Sequence, residues 1–166
     1  MKILALLLGL FIAPVLAEIP DSYAPIVVRA NPDSASERVF DLGPAFERAR
    51  RQGRPVLIYL GAAECPPCQR YTQFLKDHER EMRPLLDKVV VVDVRTTIRG
   101  PRPTFLFGGN KYSTLEFKAF IGNADPGLAY PTWWLVNADG RQLRPLPRGV
   151  EQFVDVSRYR QWLAGL

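Results

Sequence analysis

Residues Pro55-Val56-Leu57-Ile58-Tyr59-Leu60 are apolar throughout, without the alternation of a half-solvated strand, and predict a short strand covered on both faces. Val89-Val90-Val91-Val92-Asp93-Val94 repeats that signature. Between the two runs, Cys68, Tyr71, Thr72 and Leu75 recur at helical spacing and mark one face of a helix that Pro84 should end. A strand-helix-strand order with short links requires a parallel pair and a right-handed crossover, so the core is α/β. Upstream, Leu42, Phe46 and Ala49 mark a helix over residues 42–52, with Asp41 as its cap, Pro44 in its first turn and Gly53 beyond its end. Downstream, Thr132-Trp133-Trp134-Leu135-Val136, the turn Asn137-Ala138-Asp139-Gly140 and residues 141–146 predict an antiparallel hairpin. Trp133 and Trp134, neighbours on that strand, should pack into opposite sides of the core. Phe153, Val156, Tyr159, Trp162 and Leu163 form the stripe of a closing helix.

Two stretches carry weaker patterns. Residues 18–40 are rich in Pro, Ser, Asp and Asn around the single apolar run Ile26-Val27-Val28, and predict a poorly ordered extended arm with one short edge strand. Residues 95–129, framed by Gly100-Pro101, Gly108-Gly109 and Asp125-Pro126-Gly127, read as an insertion. Within it Thr104-Phe105-Leu106-Phe107 suggests a strand, and residues 115–121 a strand or a helical turn.

The first 17 residues differ from the rest. Lys2 precedes an uncharged apolar run, and Val15 and Ala17 occupy the minus-three and minus-one places of a cut after Ala17, the pattern of a cleavable signal peptide. An uncleaved anchor is the alternative, but a spanning helix needs roughly 20 apolar residues. The chain is thus divided into a signal peptide over 1–17, an arm over 18–40 and a folded domain over 41–166. Export places it in an oxidising compartment, taken to be the periplasm.

With 166 residues, 47% of them hydrophobic and 23% charged, the composition is that of one globular domain. The net charge of +5 comes from scattered basic residues, so no nucleic-acid surface is implied. Two cysteines and one histidine cannot alone supply a four-ligand Cys/His zinc site, and no metal or other cofactor is called for. The cysteines act as a pair.

That pair, Cys65-Pro66-Pro67-Cys68, opens a helix directly after a buried strand. There the first sulfur meets the helix N-terminus, which stabilises a thiolate, and the second, one turn along, can resolve a mixed disulfide. Cys65 is accordingly the nucleophile and Cys68 the resolving thiol. A structural bridge gains little across so short a loop. A haem site would need histidine where Gln69 stands. Copper(I) binding by the two sulfurs finds few helpers beyond His78 and Met82. Pro66 and Pro67 remove two amides from the helix start and Glu64 adds a negative charge beside Cys65. Both raise the thiol pKa and favour a reducing couple.

With these motifs in place, residues 41–166 resemble the thioredoxin-like superfamily, in particular its exported single-domain thiol:disulfide oxidoreductases. The resemblance rests on Ala62-Ala63-Glu64-Cys65-Pro66-Pro67-Cys68 after a buried strand and on Tyr130-Pro131-Thr132 before the hairpin, with Gly149 agreeing before the last helix. It implies a thioredoxin-like fold, a central mixed β-sheet flanked by helices, with residues 95–129 inserted before a cis-proline at Pro131. By the same resemblance Pro131 faces the cysteine pair, and Tyr130, Pro66 and Pro67 lie on the substrate side. Two departures matter. Glu64 stands where thioredoxins proper have Trp, and residues 55–63 contain no carboxylate, so Glu64 or solvent must take the buried acid's part in deprotonating Cys68.

The reading that follows is an exported oxidoreductase that exchanges the Cys65/Cys68 disulfide with protein substrates, as a reductant fed by a membrane electron-donor protein. It is not itself membrane-spanning once the leader is removed. A disulfide oxidase or isomerase of the same fold, a copper-binding thioredoxin-like chaperone and a non-catalytic interaction module stand as alternatives.

Overall fold

The computed structural model describes residues 17–31, 36–125, 127–147 and 149–166. The leader expected over residues 1–17 lies outside the described residues except for Ala17. Thirteen strands and helices follow: β1 (Ile26–Arg29), β2 (Arg38–Asp41), α1 (Gly43–Gln52), β3 (Val56–Ala62), α2 (Pro66–Asp77), α3 (Glu79–Leu86), β4 (Val90–Thr96), β5 (Pro103–Phe107), β6 (Asn110–Ser113), α4 (Thr114–Ile121), β7 (Thr132–Val136), β8 (Gln142–Arg144) and α5 (Val156–Trp162).

The main sheet has the order β1-β4-β3-β7-β8. β1, β4 and β3 are parallel, β7 pairs antiparallel with β3, and β8 pairs antiparallel with β7. Every residue of β3 is buried, as its unbroken apolar run predicts for a strand covered on both faces. Alternation of side chains then builds two cores. Ile58, Leu60, Val92, Val94 and Trp134 pack under α1 and α4. Leu57, Tyr59, Val91 and Trp133 pack under α2, α3 and α5. The two tryptophans thus serve opposite cores, and Trp133 stacks face to face on Phe153.

Three expectations are corrected. The described residues of the arm, 18–31 and 36–40, are packed rather than loose. Ile19 and Tyr23 are buried, β1 extends the main sheet along β4, and β2 pairs in parallel with β5. Its order comes from partners far along the chain, which its polar composition does not reveal. The helix after the cysteines breaks at His78 and restarts as α3, which contains Pro84 instead of ending at it. At the break the His78 carbonyl accepts the amides of Glu81 and Met82. Asp41 is not the N-cap of α1. Leu42 holds that position, and Asp41 Oδ1 accepts the Gly43 amide at 2.8 Å from the end of β2.

The described residues of the insertion are built into the fold. β5 and β6 form a hairpin that joins β2 in a second, three-stranded sheet. Ser113 and Glu116 then start α4 with a reciprocal capping box. Residues 115–121 are therefore helix.

Candidate active site

β3 pairs with β4 as far as Ala62↔Thr96 and with β7 as far as Leu60↔Thr132. The chain leaving β3 toward the cysteines and the chain entering β7 through Pro131 therefore meet at one end of the sheet. The amides of Ala63 and Cys65 return to the carbonyls of Thr96 and Ala62, at 3.1 and 3.2 Å. This tight turn places Cys65 at the N-cap of α2.

Pro66 and Pro67 fill the first helical positions, where a missing N–H costs no helix bond. Cys68 carries the first free amide of the helix, and it donates to Cys65 Sγ at 3.2 Å. The two cysteines form a disulfide with their Cα atoms 5.2 Å apart. Cys65 is 2% exposed and Cys68 fully buried, in a small cluster with Ala17 and Ala62 against which Tyr130 packs.

The Tyr130–Pro131 peptide is cis, as the resemblance implied for this position. Pro131 is buried and Tyr130 half-buried. Burial raises the Tyr130 pKa, while the nearby Arg38 and Arg102 charges pull it the other way. Glu64 stays at the surface beside Cys65, and its Oε2 accepts the Ile98 amide at 3.2 Å. The structure thus gathers Cys65, Cys68, Glu64, Pro66, Pro67, Tyr130 and Pro131 at one end of the sheet.

Sequence reasoning missed three contributors. The first is Asp93, the carboxylate inside the valine run of β4, which is fully buried. It lies on the strand next to β3, opposite Tyr59 in register, so the buried acid absent from 55–63 has a counterpart one strand over. Its Oδ2 accepts from Ile19 N at 3.1 Å and Arg95 Nε at 2.7 Å, and Oδ1 has no protein partner. Burial pushes its carboxyl up to about 6, against the opposing pull of Arg95 and the Ile19 amide. A single Asp in an otherwise apolar strand was the available signal. Through residues 18 and 19 this acid is tied to the helix of the pair. Thr72 Oγ1 meets the carbonyls of both Glu18 and Cys68, at 3.0 and 3.2 Å.

The second is Ala17, whose place in the buried cluster of the cysteines nothing local announces. The third is Arg38, held beside the site by the carbonyls of Pro101 and Thr97 and the hydroxyls of Thr96 and Thr97. In the core under α2, α3 and α5, Tyr71 and Tyr159 share a hydroxyl–hydroxyl hydrogen bond, and burial pushes the Tyr71 phenol up to about 12.

A parallel strand-helix-strand core thus carries a Cys-x-x-Cys disulfide at a helix start, at the sheet end where Pro131 enters β7. A family model described as thioredoxin-like matches residues 37–114, and the chain carries a thioredoxin-like domain. Comparison with curated proteins and with solved structures found no match. The domain and the Cys65–Cys68 pair at disulfide distance fit a redox role. Among the described residues no group of three or more His, Cys, Asp or Glu is placed to hold a metal ion, and no helix is long and apolar enough to cross a membrane.

Proposed function

We propose that this protein is an exported thiol:disulfide oxidoreductase that exchanges the Cys65–Cys68 disulfide with protein substrates, acting in the periplasm as a reductant recharged by a membrane electron-donor protein. The observation that carries the reading is the disulfide at the start of α2, at the sheet end where Pro131 enters β7. In the reduced protein the Cys65 thiolate attacks a substrate disulfide, forming a mixed disulfide and releasing one substrate thiolate. The Cys68 thiolate then attacks Cys65 Sγ and releases the second. Two electrons pass to the substrate and the internal disulfide re-forms.

The reducing direction is supported by the helix start. Two of the amides that would stabilise a Cys65 thiolate are replaced by Pro66 and Pro67, which leaves the amide of Cys68. Tyr130 packs against the cysteine cluster, and the backbone before Pro131 is the proposed contact for a substrate strand. Glu64 is proposed to take the buried acid's part in deprotonating Cys68. Export is supported by the apolar leader and the cut it predicts after Ala17.

The test is the redox equilibrium of residues 18–166 against a glutathione series, with Cys65→Ser and Cys68→Ser as controls. A reversible two-electron couple well below the glutathione poise is expected. A couple well above it makes the protein an oxidant, and the absence of any couple ends the oxidoreductase reading.

A further inference from the structure

We propose that the cleft beside Tyr130 seats a partner segment that carries an acidic side chain next to an apolar one, so that substrates are selected by acidic sequence near the disulfide being exchanged. The proposal deepens the thiol–disulfide reading above and rests on it.

The cleft has a volume of about 270 Å³, and its lining includes Arg38, Ile98, Arg102, Leu115, Leu128 and Tyr130. It adjoins the sulfurs by two routes. Tyr130 lines it and packs on the cysteine cluster, and Ile98 lines it while its amide is bound to Glu64, next to Cys65. Ile98 and Leu115 are 51% and 49% exposed, so two large apolar side chains meet water at a concave surface. Apolar area of that kind is retained where a partner covers it.

The charges in the cleft are of one sign. Arg38 is fixed by neutral groups, the carbonyls of Pro101 and Thr97 and the hydroxyls of Thr96 and Thr97. Among the described residues neither Arg38 nor Arg102 has a carboxylate partner. Both cations are close enough to Tyr130 to act on its phenol. A concave wall bearing two uncompensated guanidinium groups concentrates positive potential, and a carboxylate entering it gains most while the apolar rim excludes water. Glu64, the acid at the cysteine end, is not part of the lining and already accepts the Ile98 amide. Arg38 is positioned before any partner arrives, so little conformational freedom is lost on its account.

The experiment uses three disulfide-bonded peptides with the same apolar residues and acidic, neutral or basic flanks. It also uses their serine counterparts, which cannot exchange. Rates of peptide reduction by the reduced protein are measured together with anisotropy of the labelled serine peptides on the oxidised protein, at low and high salt. The acidic peptide should bind and react about fivefold better than the neutral one, on the scale of partly exposed ion pairs, with the advantage shrinking in salt. Arg102→Glu should abolish that advantage and favour the basic peptide. Arg51→Glu, the same charge change on the exposed end of α1, should leave the acidic preference in place. Equal rates and equal binding for all three peptides overturn the cleft assignment while the oxidoreductase reading stands. If no peptide is reduced, the oxidoreductase reading fails and the anisotropy arm decides the cleft alone. Acidic preference there upholds it, and its absence overturns it.

Discussion

The backbone amide of Ile19 donates to Oδ2 of Asp93 at 3.1 Å across 74 residues of sequence, fastening the start of the described chain to a carboxylate in the middle of the sheet. Arg95 closes the arrangement. Its Nε bonds the same oxygen and its Nη1 reaches Glu18, each at 2.7 Å.

This buried acid makes stability depend on pH in a defined direction. The folded state holds the Asp93 proton up to about pH 6, whereas the unfolded chain releases it near pH 4. The folded state therefore binds the extra proton between those values, and stability falls as pH rises through the window and levels off above it. The expected loss is about 2–3 kcal/mol, from the size of the displacement. Asp93→Asn keeps an acceptor for Ile19 and removes the titration. Urea denaturation of both proteins across pH 4–7 should show the slope in the parent and not in the variant. Parallel slopes would sink the assignment to Asp93.

Gly61, one residue from the end of the fully buried β3, has a different constraint. A Cβ there would sit 2.5–2.7 Å from the ring and hydroxyl of its neighbour Tyr59. That ring is itself buried against Tyr71 and Trp133, so it has nowhere to go. Gly61→Ala should lower stability by about 1–3 kcal/mol, as overpacking does. Thermal unfolding measures it, and an unchanged Tm would mean that Tyr59 can swing aside.

What was legible in the sequence was whatever local pattern alone decides. The unbroken runs of β3 and β4, the 3.6-residue stripe of α1 and the opposite faces of Trp133 and Trp134 need no distant partner to be read, and the cysteine motif announces its own chemistry. The rest depends on contacts between remote segments. β2 is four residues long with polar ends, and it exists because β5, more than 60 positions later, pairs with it. Asp93 was hidden in a valine run. Its importance appears only when Ile19 and Arg95 are brought to it. Arg38, an ordinary basic residue of the arm, becomes a site residue because the strand that carries it lies beside the loop over residues 96–101.

The two cysteines should fail in different ways. Cys65→Ser removes the proposed nucleophile and should abolish both exchange and any covalent adduct. Cys68→Ser leaves the attack intact and removes the resolving step, so mixed disulfides with substrate should accumulate. Gel mobility and mass spectrometry without reductant distinguish them. Adduct formation by the Cys65→Ser protein would reverse the assigned roles.

Ala17, the last residue of the proposed leader, is packed with the cysteine pair. It is buried in the cluster that holds both sulfurs, while Cys65 next to it is nearly closed off from solvent. A cut after Ala17 removes that contact but keeps Glu18 and Ile19, which hold the arm through Arg95 and Asp93. The fold should therefore survive the cut while the disulfide becomes easier to reach, since exchange depends on access as much as on intrinsic nucleophilicity. The chain beginning at Glu18 should be reduced by dithiothreitol severalfold faster than the full chain, at closely similar Tm. Equal reduction rates would show that Ala17 is not what shields the pair. A large fall in Tm would show that it is part of the fold's support.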